Sequence, residues 1–165
     1  MRVLTAADAG PIAGVFAALG WPGKTADLYR RYLDEQEQGL RVAFVARWAS
    51  QFAGYLTVCW TSAYQPFRAA GIPEIVDVNV IPRFRRRRIA SALMDTAERL
   101  IASRCDTAGL GVGLYADYAA AHLMYLRRGY LPDGRGVAYR GAPVEPGMTV
   151  RVNDDLAMMM TLTLR

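Results

Sequence analysis

A chain of 165 residues, 53% hydrophobic and 21% charged, is long enough to bury a core and is expected to form one domain, 1–165. It has no apolar run near 18 residues, and Asp8 comes too early for a leader's apolar stretch, so neither a membrane span nor a signal peptide is expected. One histidine (His122), two distant cysteines (Cys59, Cys105) and one lysine (Lys24) beside 19 arginines argue against metal sites and serine or cysteine triads, and the cysteine usage suits a reducing cytoplasm.

Arg2–Thr5 reads as a short strand. Asp8–Leu19 sets Ile12, Val15, Phe16 and Leu19 at helical spacing, and Thr25–Gln38 does so with Leu28, Tyr32 and Leu33 before Gly39 ends it. Between them, Gly20-Trp21-Pro22-Gly23-Lys24-Thr25 ends like a P-loop. Its required first glycine falls at Ala18, after a helix rather than a strand, so that reading is set aside. Arg41–Trp48 and Phe52–Thr61 are apolar and aromatic, joined as a hairpin by Ala49-Ser50-Gln51. Ser62–Pro73, with Pro66, Gly71 and Pro73, reads as loop, and Glu74–Ile81 as strand. Ile89–Ser103 aligns Ile89, Ala90, Leu93, Met94, Ala97, Leu100 and Ile101 on one helical face. Leu110–Leu114 is a strand, Tyr118–Arg128 a helix, and Gly129–Gly147 is rich in glycine and proline. Leu156, Met158, Met160, Leu162 and Leu164 alternate in a closing strand whose apolar face would permit a homodimer. The order predicts an α/β domain on a mixed sheet.

The formal charge is +5, and Arg83, Arg85, Arg86, Arg87 and Arg88 fall within six positions; without these five, 15 basic residues face 15 acidic ones. The basicity is one local feature, so no nucleic-acid face and no membrane partner are expected. The run lies between a strand and a helix start, where free backbone N–H groups and the helix dipole point at one spot. Cations there oppose the dipole, so an anion should offset them, and a diphosphate suits several guanidinium groups better than a carboxylate does. Plain surface charge is the alternative.

Val78-x-Val80-x-Pro82 followed by Arg85-Arg86-Arg87-Arg88-Ile89-Ala90 resembles motif A of the GNAT-type N-acetyltransferases, a strand ending V-x-P and then Q/R-x-x-G-x-G/A opening a helix. Arg85 takes the Q/R position and Ala90 the last one. Arg88 stands at the first glycine, where a right-handed arginine could still offer its N–H. Tyr118-x-x-Ala121-x-x-x-Tyr125 followed by Gly129-Tyr130 is similar to motif B, N-x-x-A-x-x-x-Y and then G-F or G-Y, with Tyr118 replacing Asn. The likeness spans essentially the whole chain. It implies the GNAT acyl-CoA N-acyltransferase fold, a mixed, mostly antiparallel sheet with flanking helices. It also implies acetyl-CoA as donor and a small-molecule or peptide amine as acceptor. The resemblance places pyrophosphate on Arg85, Arg86, Arg87, Arg88, Ile89, Ala90 and Ser91, pantetheine on Val78 and Val80, and a further cofactor contact on Tyr118. Tyr125 becomes the general acid toward the departing thiolate.

Acetylating an amine also needs a base, since an alkyl ammonium of pKa near 10.4 is only about one part in 10³ neutral at pH 7. Glu74 stands 14 positions before Arg88, the offset at which some family members carry a catalytic glutamate. A solvent-facing strand start is its alternative. Asp77 is the reserve base, or a binder of the substrate ammonium. Trp60 and Tyr64, with Phe67 nearby, are candidates for an acceptor wall, with packing as the alternative for each. His122 reads as structural. Asp154 and Asp155 either favour a cationic acceptor or cap a turn. Two other functions use the same arginines: a nucleic-acid or polyphosphate binder without chemistry, and an acyl-CoA sensor.

Overall fold

The computed structural model describes residues 1–164 and packs as two compact units, one of Met1–Trp60 with Asp77–Ala97, the other of Thr61–Val76 with the chain from Glu98 on. The first unit holds β1 (Arg2–Val3), α1 (Ala9–Ala18), α2 (Ala26–Glu37), β2 (Arg41–Trp48) and β3 (Gln51–Cys59). It also holds the second half of β4 (Glu74–Val80) and the start of α4 (Ile89–Ala102). Its strands run in the order β1-β2-β3-β4. In the β2–β3 hairpin Trp48 lies opposite Gln51, so Gln51 joins the strand and the turn is two residues. Ala49 and Ser50 both take positive φ (45° and 64°), as the twist of a two-residue hairpin demands. Gly54 is where β3 and β4 approach closely. A Cβ there would strike the Asn79 carbonyl oxygen and lie 3.1 Å from Val80 Cα, so only glycine fits. The core centres on Phe16, fully buried, with rings of Trp21, Tyr29, Phe52 and Tyr55 at centroid distances of 5.4, 6.5, 5.8 and 5.9 Å. Aromatic packing of this kind supplies most of a small core's burial energy.

At the N-terminus Asp8 is buried and accepts from the Arg2 guanidinium at 2.5 and 2.6 Å and from the Thr5 N–H at 2.9 Å. The Arg2 bond chiefly holds its carboxyl down at about 2 against an ordinary 3.8. A depressed carboxyl stabilises the fold above its unfolded value and loses that contribution as the pH falls through the folded one. The shift corresponds to about 2 kcal/mol, and with Arg2 41% exposed, screening leaves about 1 kcal/mol. Denaturant unfolding from pH 5 to 2 should show that loss, and Arg2→Ala should remove most of it. An identical pH slope in the variant would contradict the assignment.

The second unit holds the first half of β4, the end of α4, α3 (Gln65–Ala69), β5 (Thr107–Gly113), α5 (Ala119–Arg128), β6 (Leu131–Tyr139), β7 (Ala142–Pro143) and β8 (Leu156–Thr163). Its order is β4-β5-β8-β6-β7. β4 and β5 are parallel, with Glu74 opposite Gly109, while β5–β8, β8–β6 and β6–β7 are antiparallel. The eight strands thus form a mixed sheet with flanking helices, as the sequence implied.

Two segments differ from their expected loop conformation. The segment Ser62–Pro73 is not all loop, because α3 starts at Gln65 with Pro66 in its first turn, a place that suits proline as the helix interior does not. The glycine- and proline-rich stretch after Gly129 contains β6 and β7. Its pairing with β8 shifts between Pro132 and Val137, so residues 133–136 loop out, with Gly134 and Gly136 at positive φ. The closing strand β8 lies between β5 and β6 and pairs with both. Among the described residues no helix is long and apolar enough to cross a membrane.

Candidate functional site

In the first unit, β4 leaves through Ile81 into a 3-10 turn, Pro82–Phe84, then the arginines, then α4. Proline at the turn's start fixes φ, and buried Phe84 anchors it in the core. Arg83 lies 4.8 Å from the Phe84 ring and Arg87 5.1 Å from the Trp48 ring. Arg85 Nε donates to the Val80 carbonyl at 3.4 Å. Arg86 and Arg88 take φ of 60° and 59°. The right-handed Arg88 expected from the sequence is therefore replaced by a left-handed one, the geometry glycine adopts freely. Ile89 is buried and holds α4 down, Ala90 and Ser91 are half-buried in its first turn, and Val78 and Val80 are half-buried on β4. The first N–H groups of α4 have no carbonyl one turn back to accept them.

The strain at Arg88 gives a direct test. A left-handed non-glycine residue costs about 1–2 kcal/mol, partly offset by glycine's greater unfolded entropy. Arg88→Gly should raise stability by about 1 kcal/mol, or roughly 2–4 °C in Tm for a chain of this length. A lower Tm would contradict the strain.

The same unit places Asp77 inside β4 at φ 58°, with the Asn79 amide donating to its carbonyl at 3.0 Å. Its carboxylate accepts from Lys24 Nζ at 2.8 Å and from the Tyr32 hydroxyl. Burial alone would push this carboxyl up, but Lys24 and Tyr32 outweigh it and the net shift is downward. Asp77 is thus held ionised and already engaged, which suits an ammonium binder better than the reserve base. Nothing local in the sequence joins it to Lys24, 53 positions away.

In the second unit, the Ser62 hydroxyl donates to Glu74 Oε2 at 2.5 Å and accepts the Tyr64 N–H at 2.9 Å. Sequence reasoning missed Ser62, which is buried and aims the Glu74 carboxyl. Tyr64 packs with Phe67, Ala138 and Met159, and its hydroxyl donates to Asp133 at 2.9 Å. Its burial favours packing over an acceptor wall. Trp60, in the other unit, is half-buried.

Tyr118 belongs to a 3-10 turn ahead of α5, not to the helix. Its ring lies over Gly113, where a Cβ would collide with it. The Tyr118 and Tyr115 hydroxyls both donate to Asp154, so Asp154 fixes this corner. Asp155 instead accepts from Arg140 at 3.1 Å. Tyr125, near the C-terminus of α5, is 5% exposed with its ring 6.0 Å from that of Tyr130, and burial pushes its hydroxyl up to about 12. Arg128 grips Glu98 with two hydrogen bonds at 2.9 and 2.5 Å, tying α5 to the end of α4.

The model of the acetyltransferase (GNAT) family matches residues 12–130. The chain belongs to the GNAT acetyltransferase family. No curated protein matches it. Among solved structures, ribosomal-protein-alanine N-acetyltransferase from Brucella melitensis is similar with a TM-score of 0.70 and 16% identity, over 99% of this chain and 98% of that one. An aminoglycoside 6′-N-acetyltransferase complexed with coenzyme A gives 0.66 and 17%, over 100% and 98%. Mutant forms of the spermidine/spermine N-acetyltransferase from Vibrio cholerae give 0.66 and 14%, over 99% and 93%. At these identities the likeness is one of fold, and this GNAT chain shares it end to end.

Proposed function

We propose that this GNAT chain, as one domain, transfers an acetyl group from acetyl-CoA to a primary amine by direct attack within a ternary complex. The observation that carries the proposal is the β4–α4 turn, with Arg86 and Arg88 left-handed in a family motif that places glycine at the second of them. A backbone turned this way, beside clustered guanidinium groups and a helix start, fits a pyrophosphate. In this reading the side chains of Arg85–Arg88 and the N–H groups from Arg86 onward, with Ile89, Ala90 and Ser91, hold the diphosphate. The half-buried backbone at Val78 and Val80 holds pantetheine, and Tyr118 borders the nucleotide. Acetyl-CoA supplies the acyl thioester. Glu74, oriented by Ser62, takes the proton from the attacking amine as the N–C bond forms. Tyr125 donates toward the sulfur as the C–S bond breaks. Asp77 binds the acceptor as its ammonium, and Trp60 is assigned to the acceptor's surroundings.

The printed names of the three relatives span a protein N-terminus, an aminoglycoside and a polyamine, so the acceptor is taken to be a small-molecule or peptide amine. Cys59 and Cys105 are not joined in a disulfide, and a reducing cytoplasm is the compartment this reading assigns. Incubation with acetyl-CoA and a panel of amines, following release of CoA thiol, tests the reading. Amine-dependent release is expected. Binding of acetyl-CoA without release on any amine would leave a sensor.

A further inference from the structure

The one lysine of this arginine-rich chain sits in an unusual place. Lys24 precedes Thr25, whose hydroxyl caps α2 by accepting the Leu28 N–H at 3.2 Å, so the start of the lysine stem is fixed. From there the ammonium reaches Asp77 at 2.8 Å and lies 5.5 Å from the Tyr55 ring centroid. Tyr32 donates to the other carboxylate oxygen, and Arg41 covers the Tyr32 ring at 4.2 Å while bonding Glu35 at 2.5 Å and the Thr57 hydroxyl at 2.6 Å. Tyr29 stands edge-on to Tyr32 and Tyr55 at 6.1 and 5.4 Å. All these groups belong to the first unit.

Three observations set this cluster apart from ordinary packing. The hydroxyls of Tyr29 and Tyr55 are fully buried beside one another without a well-formed hydrogen bond, an arrangement that a compact core avoids. Asp77 pays backbone strain at φ 58°, and strain of this kind persists at sites where ligands are held. The ion pair also remains partly open, with side chains 21% and 24% exposed. A pair built only for stability gains little, because desolvation offsets the attraction.

We propose that Asp77 with Tyr29, Tyr32 and Tyr55 forms a site for an aliphatic primary ammonium, that Lys24 is its tethered resident, and that the acceptor amine enters by displacing Lys24. The proposal rests on the acetyltransferase reading and names the acceptor class for it. Exchanging one ammonium for another leaves no charge unpaired, so the swap costs mainly the release of a flexible four-carbon stem. The ammonium's seat beside the Tyr55 ring, at the end of the unbranched Lys24 stem, defines the ligand as a cation on an unbranched apolar chain. A free diamine and a lysine side chain both have that shape.

Thermal-shift titrations of Lys24→Ala with 1,4-diaminobutane and with Nα-acetyl-lysine methylamide test the site. At a hundred times Kd a rise of about 5–10 °C is expected. n-Butanol should give none, and neither should the amines with K24A/D77N. A response to the diamine alone marks a free polyamine as the ligand, and a response to the lysine derivative alone marks a peptide; each supports the site. No response to either amine, or an equal response in K24A/D77N, overturns it. Should K24A fail to fold, the wild-type chain gives a single lysine Nζ resonance with ¹⁵N-lysine labelling. That signal should move to the free-lysine position as 1,4-diaminobutane is added, and an unmoved signal at saturating amine overturns the proposal. Acetyl-CoA titrated in parallel keeps the two readings separate, since its failure to bind would count against the transferase itself.

Discussion

Tyr125→Phe is expected to lower kcat for acetyl transfer at least tenfold while leaving acetyl-CoA affinity and Tm nearly unchanged. The ring is 5% exposed and packs 6.0 Å from Tyr130, contacts that phenylalanine keeps. What it loses is the hydroxyl, which burial holds protonated with a value of about 12. A thiol ionises near 8.5, so full proton transfer from this phenol is uphill by roughly 5 kcal/mol. In the proposed mechanism its contribution is therefore a hydrogen bond that strengthens as negative charge grows on the leaving sulfur, and groups in that role supply about 10²–10⁴-fold. A fall in kcat without a change in affinity is the signature of an interaction made only in the transition state. An unchanged kcat would remove Tyr125 from the mechanism.

Glu74→Gln is expected to cost as much, with a different dependence on pH. Glutamine keeps the side chain's shape and can still meet the Ser62 hydroxyl, whose 2.5 Å bond orients the carboxyl. It cannot take a proton. The variant then depends on amine that is already neutral, about one part in 10³ at pH 7, a handicap near 4–5 kcal/mol. Since the neutral fraction grows about tenfold per pH unit below the amine's pKa, the gap between wild type and variant should narrow as pH rises. kcat measured from pH 6 to 9.5 reads this directly. A constant ratio across that range would leave Glu74 as a strand residue that merely packs against Ser62.

The elements legible in the sequence are those written in local patterns. The arginine run between an apolar strand and an amphipathic helix marked the β4–α4 turn, because both neighbours announce themselves through their periodicity. The left-handed backbone at Arg86 and Arg88 carried no such mark, since no glycine signals it. β6 was hidden for a related reason: Pro132, Gly134 and Gly136 break the alternation where residues 133–136 bulge from the β8 register. α3 was hidden because Pro66 reads as a breaker unless it is known to open a helix. Around Asp77 the limit was distance along the chain. Lys24, Tyr32 and Arg41 come from a turn, a helix and a strand of the first unit, and only folding brings them to one carboxylate. Tyr118 stood out as a departure from motif B, but its anchor on Asp154, 36 positions on, was visible only in three dimensions.

The central claim is that the arginine turn holds the diphosphate of an acyl-CoA. The most direct test is a thermal-shift titration with acetyl-CoA, CoA, ATP and a short DNA duplex side by side. At about a hundred times Kd a ligand adds roughly 2.7 kcal/mol, or about 5–10 °C for a chain of this length. A shift with acetyl-CoA and CoA alone is the predicted result. A shift with DNA and none with either CoA compound would contradict the claim and make the arginines a nucleic-acid contact.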